Sequence, residues 1–358
     1  MNSCNARIMI RVLLCGVPLV CLINFAPACA ASPATKAAVF QRDGLSPRTN
    51  DLAQAALLQA LRAKEFWVKV HAAEFLIALG DTSAVEAEFS QELLQREDRR
   101  PERIGVWRVG YRLAKSDQDR AALAGEIGAV AQDKSATDRL HAIETLAKLS
   151  LQLPEGEVLA IITTTRDVGD HELAFGLWVA MNQQGNEQMR VQTEQLVSLL
   201  ASDDDIARLR AAYTLWQFAT HSPAPLRDAV IDAGVETAQQ KAEDSLEELA
   251  GAHVIATAWK TAELWRVDDE IEEFRDARVK ELSTALKQAA GHSTEVSRVL
   301  ANSLAELGTP ADGARLQEYL NSDDLDLRAS AANALLQIEI RFFSDQQGAK
   351  ADMAAQPK

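Results

Sequence analysis

Ionisable side chains recur at intervals of three or four residues in three separate segments of the chain, and this spacing places side chains on one face of a helix. These residues are His71, Glu74, Arg108, Arg112, His141, Glu144 and Lys148. Imidazole, carboxylate, guanidinium and ammonium groups in such a series could hydrogen-bond a polar ligand, such as a peptide or a glycan. They could equally form ion pairs that link neighbouring helices, and the sequence leaves both interpretations open.

Catalytic motifs are incomplete in this sequence. His171 and Glu172 begin a zinc-protease HExxH pattern, but Phe175 occupies the position of the second zinc-binding imidazole. A G-x-S-x-G nucleophile elbow, a G-x-x-x-x-G-K-[ST] phosphate loop and a G-x-G-x-x-G dinucleotide motif are all missing. We therefore expect no enzymatic activity, no metal ion and no cofactor. Two acidic turns, at Asp203 and at Asn321, lack the glycine of a calcium loop and are predicted to be helix N-caps.

The elements that must position the ionisable side chains are the helices of a repeat. Four segments share an apolar residue, a basic residue, two spacers, a pair of small residues and an apolar helical tail: 67–81, 137–150, 206–218 and 325–338. The first small residue of each segment serves as its anchor, at Ala72, Ala142, Ala211 and Ala331, and weaker anchors are found at Val106, Phe175, Ala252 and Leu300. Successive anchors are about 31–48 residues apart, close to the period of two-helix repeats, and about eight units fit.

This pattern is followed by a glycine turn, at Gly80 and at Gly308, and then by an amphipathic helix. It resembles the HEAT repeat family, particularly the short bacterial form named after phycobilisome lyases. The resemblance implies an all-α fold, a right-handed α-solenoid of about eight stacked two-helix HEAT-like repeats. It also implies an elongated molecule that presents a binding surface and carries no catalytic residues.

Equivalent positions in the other repeats extend the series of ionisable residues into a longer polar stripe. The additional positions are Arg210, Tyr213, Gln217, Asn302, Glu306, Ser330, Asn333 and Gln337. We expect this polar stripe to line one continuous surface, with Arg108 forming a ladder between Glu74 and Glu144. Most of the six tryptophans are predicted to fill space between repeats.

The chain is predicted to contain a leader, a repeat region and two segments without regular structure. Residues 1–30 have the features of a signal peptide with an A-x-A cleavage site that ends at Ala30. All four cysteines lie in this leader, and Cys29 is an alternative site for a lipid anchor. Three further segments are predicted: a linker at 31–50, the HEAT-like solenoid at 51–343 with an irregular acidic unit at 238–291, and a disordered tail at 344–358.

The formal net charge of −15 argues against nucleic-acid binding, because polyanions are bound by clustered Lys and Arg. We expect export to the periplasm or the extracellular space, with no membrane insertion after signal cleavage. The expected function is that of a non-catalytic scaffold whose polar groove binds another protein, a peptide or a glycan. One alternative is an accessory subunit that docks on a secreted hydrolase, lyase or transporter. A second alternative is a lyase-type enzyme, by analogy with the proteins that give the repeat its name.

Overall fold

The computed structural model describes residues 39–41, 44–94, 102–183, 186–219, 224–264 and 272–354. The chain divides into two units, residues 1–37 and 38–358, and every described residue belongs to the second unit. The predicted signal peptide, the alternative anchor at Cys29 and the first part of the predicted linker lie outside the described residues. Within the described ranges, no helix is both long enough and apolar enough to cross a membrane.

The described residues are almost wholly helical, which confirms the predicted all-α class. A two-stranded antiparallel hairpin precedes the helices, with β1 at Phe40–Gln41 and β2 at Gly44–Leu45. The α-helices are α1 Pro47–Leu61, α2 Phe66–Ala78, α3 Thr82–Leu94, α4 Arg103–Leu113, α5 Asp117–Gln132, α6 Arg139–Lys148, α7 Glu155–Val168, α8 Asp170–Gln183, α9 Asn186–Leu199, α10 Asp205–Phe218, α11 Ala224–Gln239, α12 Ser245–Leu264, α13 Glu272–Ala289, α14 Thr294–Leu307, α15 Gly313–Tyr319 and α16 Leu325–Ala354.

Polar residues at the starts of helices explain where several of them begin. Ser46 caps α1 with its side-chain oxygen. At the start of α10, the Asp204 carboxylate accepts a hydrogen bond from the backbone N–H of Ile206 at 2.9 Å. At the start of α16, Asp324 accepts one from the N–H of Leu327 at 2.6 Å. The prediction that both acidic turns are helix N-caps is confirmed.

The even-numbered helices pack side by side in chain order, from α2 to α16, and the odd-numbered helices pack against them. The small anchor residues lie inside this packing, and the four strongest of them, Ala72, Ala142, Ala211 and Ala331, have no exposed surface. Small side chains allow two helix axes to approach closely, and the distance between packed helices depends on the side chains at their contact. The repeat pattern in the sequence therefore marks the helix contacts correctly at these four positions.

The two ends of this row of even-numbered helices meet. α16 packs against α1 and α2 as well as against α14, and His71 Nδ1 on α2 lies 3.1 Å from Asp326 Oδ1 on α16. Within residues 38–358 the even-numbered helices thus form a closed ring. A solenoid repeat is expected to contact only its neighbours along the chain. The contact of α16 with α1 and α2 departs from the predicted elongated arrangement.

Two predicted boundaries differ from the structure. The hairpin and the first residues of α1 lie inside the segment 31–50, which was expected to be a linker. α16 continues to Ala354, through most of the segment 344–358 that was expected to be disordered. The hairpin packs against α16 just before that second segment, because the rings of Phe40 and Phe343 stack with their centroids 5.7 Å apart. A contact between distant ends of a chain has no local sequence signal.

The irregular unit predicted at 238–291 is built from long helices that keep their places in the packing. α12 has 20 residues and α13 has 18. α12 contacts α10 and α14 as a member of the ring, and α13 packs against α12 and α14. The described part of this segment therefore takes part in the same packing as the helices before and after it.

Candidate binding site

Members of the polar stripe on α6 and α10 face the centre of the ring of even-numbered helices. Two contacts demonstrate this, because each joins helices that are separated by an intervening member of the ring. The rings of Trp67 on α2 and His141 on α6 have centroids 4.9 Å apart. Lys148 Nζ on α6 lies 5.4 Å from the centroid of the Tyr213 ring on α10. Side chains that reach past an intervening helix in this way meet in the interior of the ring.

Arg108 is deeply buried, with 2% of its surface exposed, as is Ser330 of the same stripe. Its Nε atom lies 2.9 Å from Glu74 Oε1, and its second amino group donates to Glu74 Oε2 at 3.1 Å. It also donates to the Thr145 hydroxyl on α6 at 3.4 Å. Arg112, one turn further along α4, lies 3.6 Å from the same Glu74 carboxylate. The predicted ion pair between Glu74 and Arg108 is therefore present.

The other half of the predicted ladder is built differently. Glu144 pairs within its own helix, with Lys148 Nζ at 2.9 Å and His141 Nδ1 at 3.8 Å. Arg108 acts on Glu144 through its charge and lowers the pKa of that carboxyl group. We name the group formed by Glu74, Arg108, Glu144, Lys148 and Tyr213 the ionic cluster.

Opposite charges keep the two carboxylates and the ammonium group of the ionic cluster ionised. Burial alone would raise the pKa of Glu74, but the charges of Arg108 and Lys148 outweigh it and hold the pKa below its usual range. Burial is likewise opposed at Glu144, mainly by Lys148, and the pKa of Glu144 is lowered strongly. The pKa of Lys148 is raised, because attraction to Glu144 exceeds the effect of burial. Burial raises the pKa of Tyr213, which keeps its phenol neutral.

His71 has a different place from the other predicted site residues. It lies at the closure of the ring, where Asp326 bridges it to Arg298: the Arg298 guanidinium donates to Asp326 Oδ2 at 2.7 Å. Burial acts to raise the pKa of Asp326, but the hydrogen bond from His71 and the charge of Arg298 lower it overall. The contacts of His71 therefore join the first repeat to the last.

A cavity of about 630 Å³ shares Tyr213 with the ionic cluster. We call it the central cavity, because helices on opposite sides of the ring, α2 and α10, both line it, together with α12, α14 and α16. Its principal lining residues are Phe75, Tyr213, Trp216, Gln217, His253, Asn302, Glu306, Asn333, Gln337 and Arg341. Six of these, Tyr213, Gln217, Asn302, Glu306, Asn333 and Gln337, belong to the polar stripe as transferred between repeats. A larger cleft of about 1010 Å³, near α11, α12 and α13, contains no residue of the polar stripe.

Two lining residues, His253 and Trp216, were not included in the polar stripe predicted from the sequence. The anchor predicted at Ala252 is one residue too late: if the small pair is Gly251 and Ala252, then His253 aligns with Tyr213 of α10. His253 lines the cavity, and burial together with the charge of Arg298 lowers its pKa to about 4. Its imidazole is therefore neutral at neutral pH.

Trp216 lines the central cavity as a half-buried residue. The sequence predicts that most tryptophans fill space between repeats, and this is confirmed for Trp107, Trp178 and Trp259, which are buried. Trp216 differs because it follows Tyr213 by three residues and therefore shares the inner face of α10 with it. That spacing is the signal that could have assigned Trp216 to the polar stripe.

The wall of the central cavity also holds a buried polar atom without a partner. Asn333 is 7% exposed, and its Oδ1 atom accepts no hydrogen bond from any described residue. Most buried side-chain polar atoms in folded proteins are hydrogen-bonded, so such an atom beside a cavity calls for an explanation. Within the described ranges, no group of three or more His, Cys, Asp or Glu side chains is placed to hold a metal ion.

Comparison with known proteins adds no relative. No protein-family model matches the chain, and no curated protein is significantly similar to it. The resemblance to HEAT repeats consequently rests on the motifs in the sequence and stays a prediction.

Proposed function

We propose that residues 38–358 form a non-catalytic binding module that holds a polar ligand, a peptide or a glycan, in the central cavity. The observation that carries the proposal is the buried Oδ1 atom of Asn333, which lacks a partner beside that cavity. A buried polar atom without a hydrogen bond costs about 1–3 kcal/mol. A ligand that donates a hydrogen bond to Asn333 would remove this cost, so its binding in this cavity would stabilise the folded protein.

The ionic cluster supports a scaffolding role for the polar stripe. Arg108 joins α4 to α2 through Glu74 and to α6 through Thr145, so its hydrogen bonds connect three neighbouring helices of the ring. Acid–base catalysis favours groups whose pKa lies near the working pH. The pKa values of Glu74 and Glu144 are lowered, and that of His253 is about 4. These shifts favour a binding role over a catalytic one.

We also propose that the helix pairs are HEAT-like repeats and that the protein is exported. The repeated motifs with buried small anchors support the first of these proposals, and the leader-like residues 1–30 support the second. The ligand would then be a molecule of the periplasm or the cell exterior. The strongly negative charge disfavours nucleic acids as partners.

Asn333→Leu tests the proposed function, because leucine has a similar size and leaves no polar atom unpaired. We expect the free energy of unfolding to be unchanged or higher in the variant. Binding of a ligand found by screening the full chain against peptide and oligosaccharide libraries should weaken at least tenfold. The matched control is Asn321→Leu, in the exposed turn before α16, which should leave binding unchanged. A variant Asn333→Leu that loses stability but binds normally would contradict the proposal.

A further inference from the structure

The charged groups that line the central cavity are already engaged by the protein. Glu306 Oε2 lies 2.6 Å from Lys260 Nζ. Arg341 donates to the backbone oxygens of Ala305 and Gly308, at 2.5 and 2.9 Å, where α14 ends. Glu306 is therefore paired with a cation, and the Arg341 guanidinium donates to carbonyl oxygens at the C-terminal end of α14, where the partial negative charge of the helix end offsets part of its own charge. A charged ligand would lose water on entering the cavity without gaining a matching ion pair.

The remaining polar lining is neutral. Burial, together with Arg298, lowers the pKa of His253 to about 4, so this imidazole carries no charge at neutral pH. The other polar side chains of the cavity include four amides, from Gln217, Asn302, Asn333 and Gln337. An amide presents a donor and an acceptor side by side, and a hydroxyl group both donates and accepts. The hydrogen-bonding groups of the cavity therefore match a neutral ligand that is rich in hydroxyl groups.

Trp216 supplies an apolar surface that is held in a fixed orientation. Its Nε1–H donates to Glu306 Oε1 at 2.9 Å, which ties the indole on α10 to α14. Lys260 Nζ lies 4.4 Å from the centroid of the indole ring but does not line the cavity. Phe75 and Tyr213 add two more aromatic rings to the lining. Aromatic surface next to a few convergent polar groups is typical of small-molecule sites, and the cavity volume lies in their usual range.

We infer that the central cavity binds a short neutral saccharide, with an apolar face of one sugar ring against Trp216 and its hydroxyl groups hydrogen-bonded to the amides of Asn333 and Gln337. This inference rests on the proposed function and adds the chemical class of the ligand. A sugar combines an apolar face of C–H groups with a periphery of neutral hydroxyls, and the cavity combines an aromatic surface with neutral amides. A peptide with charged side chains or termini lacks that match.

The test is binding of the full chain to an array of neutral oligosaccharides, with anionic oligosaccharides and a peptide library as comparisons. We expect at least one neutral saccharide to bind and to change tryptophan fluorescence. Trp216→Phe should weaken that binding at least tenfold. Trp67→Phe is the matched control, because Trp67 is also half-buried on an even-numbered helix but does not line the cavity, and its affinity should stay within about twofold. Gln337→Ala, which removes only an amide, provides a second variant if Trp216→Phe does not fold.

The outcomes separate this inference from the function on which it rests. If no neutral saccharide binds but a peptide does, and Asn333→Leu abolishes peptide binding, the inference of a saccharide ligand is wrong. The proposal that the central cavity is a binding site is then supported. If a saccharide binds equally well to wild type, Trp216→Phe and Gln337→Ala, its site is elsewhere and the inference is overturned. If neither library yields a ligand, both proposals fall.

Discussion

Replacing Arg108 with methionine should expose how much of the stability depends on the ionic cluster. The side chain of Arg108 is 3% exposed and that of Glu74 is 15% exposed. Removing one partner of a buried ion pair typically costs about 3–5 kcal/mol, because the other charge stays buried without compensation. Lys148 and Arg112 also lower the pKa of Glu74 and would remain. We therefore expect Arg108→Met to lower the free energy of unfolding by about 3 kcal/mol, at the lower end of that range.

The pH dependence of this loss provides a second measurement on the same variant. In the wild type the pKa of Glu74 is lowered on folding, so its stabilising contribution is present above the pKa of the unfolded state and is lost as the pH falls through the folded pKa. Arg108→Met should raise the folded pKa of Glu74, because burial then faces fewer opposing charges. The difference in stability between wild type and variant should consequently be largest at neutral pH and shrink below about pH 4.

Urea unfolding followed by circular dichroism measures both quantities. The matched control is Arg166→Met on the exposed surface of α7, which should change the free energy of unfolding by less than about 0.5 kcal/mol. Adding Glu74→Gln to Arg108→Met should recover part of the loss, because it removes the buried charge that was left behind. A loss of less than about 1 kcal/mol for Arg108→Met would refute the reasoning, since that is the value of an exposed ion pair.

Four other substitutions have definite expected outcomes in the same unfolding assay. Asp326→Asn should lower the free energy of unfolding by about 1.5–3 kcal/mol at neutral pH. The difference from wild type should diminish in acid, because the pKa of Asp326 is lowered on folding and its stabilising contribution is lost as the pH falls through that folded pKa. Gly176→Ala should lower the free energy of unfolding by about 1–3 kcal/mol, because the added methyl group would overlap the buried Thr165 hydroxyl. Its contrast is Gly125→Ala on the exposed surface of α5, where the methyl group meets open space and the free energy of unfolding should rise by about 0.5–1 kcal/mol. Ala72→Leu, at a position with no exposed surface, should cost about 1–3 kcal/mol, and a variant as stable as wild type would contradict the close helix contact there.

The positions of Glu74, Arg108 and Asn333 on the inner face of their helices could be predicted from the sequence, because a repeated motif carries its own register. Each of these residues lies two positions after an anchor, and that offset is enough to place them on the same face. The same reasoning misplaced His253, because the small pair of its repeat begins with Gly251 and the anchor was set at Ala252. An error of one residue rotates a helix position by about 100°, since a helix turn takes about 3.6 residues.

The closure of the ring could not be predicted, because it depends on the angles between neighbouring helix pairs, and no sequence motif encodes these angles. Each pair of repeats contributes a small rotation, and the sum decides whether α16 passes α2 or meets it. His71 and Asp326 carry no sign of their pairing in the sequence, since they are separated by 255 positions. Phe343 near the end of α16 likewise has a distant partner, the ring of Phe40, that no local motif indicates.

The meeting of α16 with α2 also restricts how such a protein can change in evolution. A linear array of repeats can lengthen or shorten by duplication or deletion, because a new unit needs only one neighbour. Deleting one helix pair from this ring would separate His71 from Asp326 by the width of a helix, about 8–10 Å, unless every remaining angle changed together. The contact of α16 with α2 thus constrains the number of helix pairs in the ring, and with it the diameter of the interior.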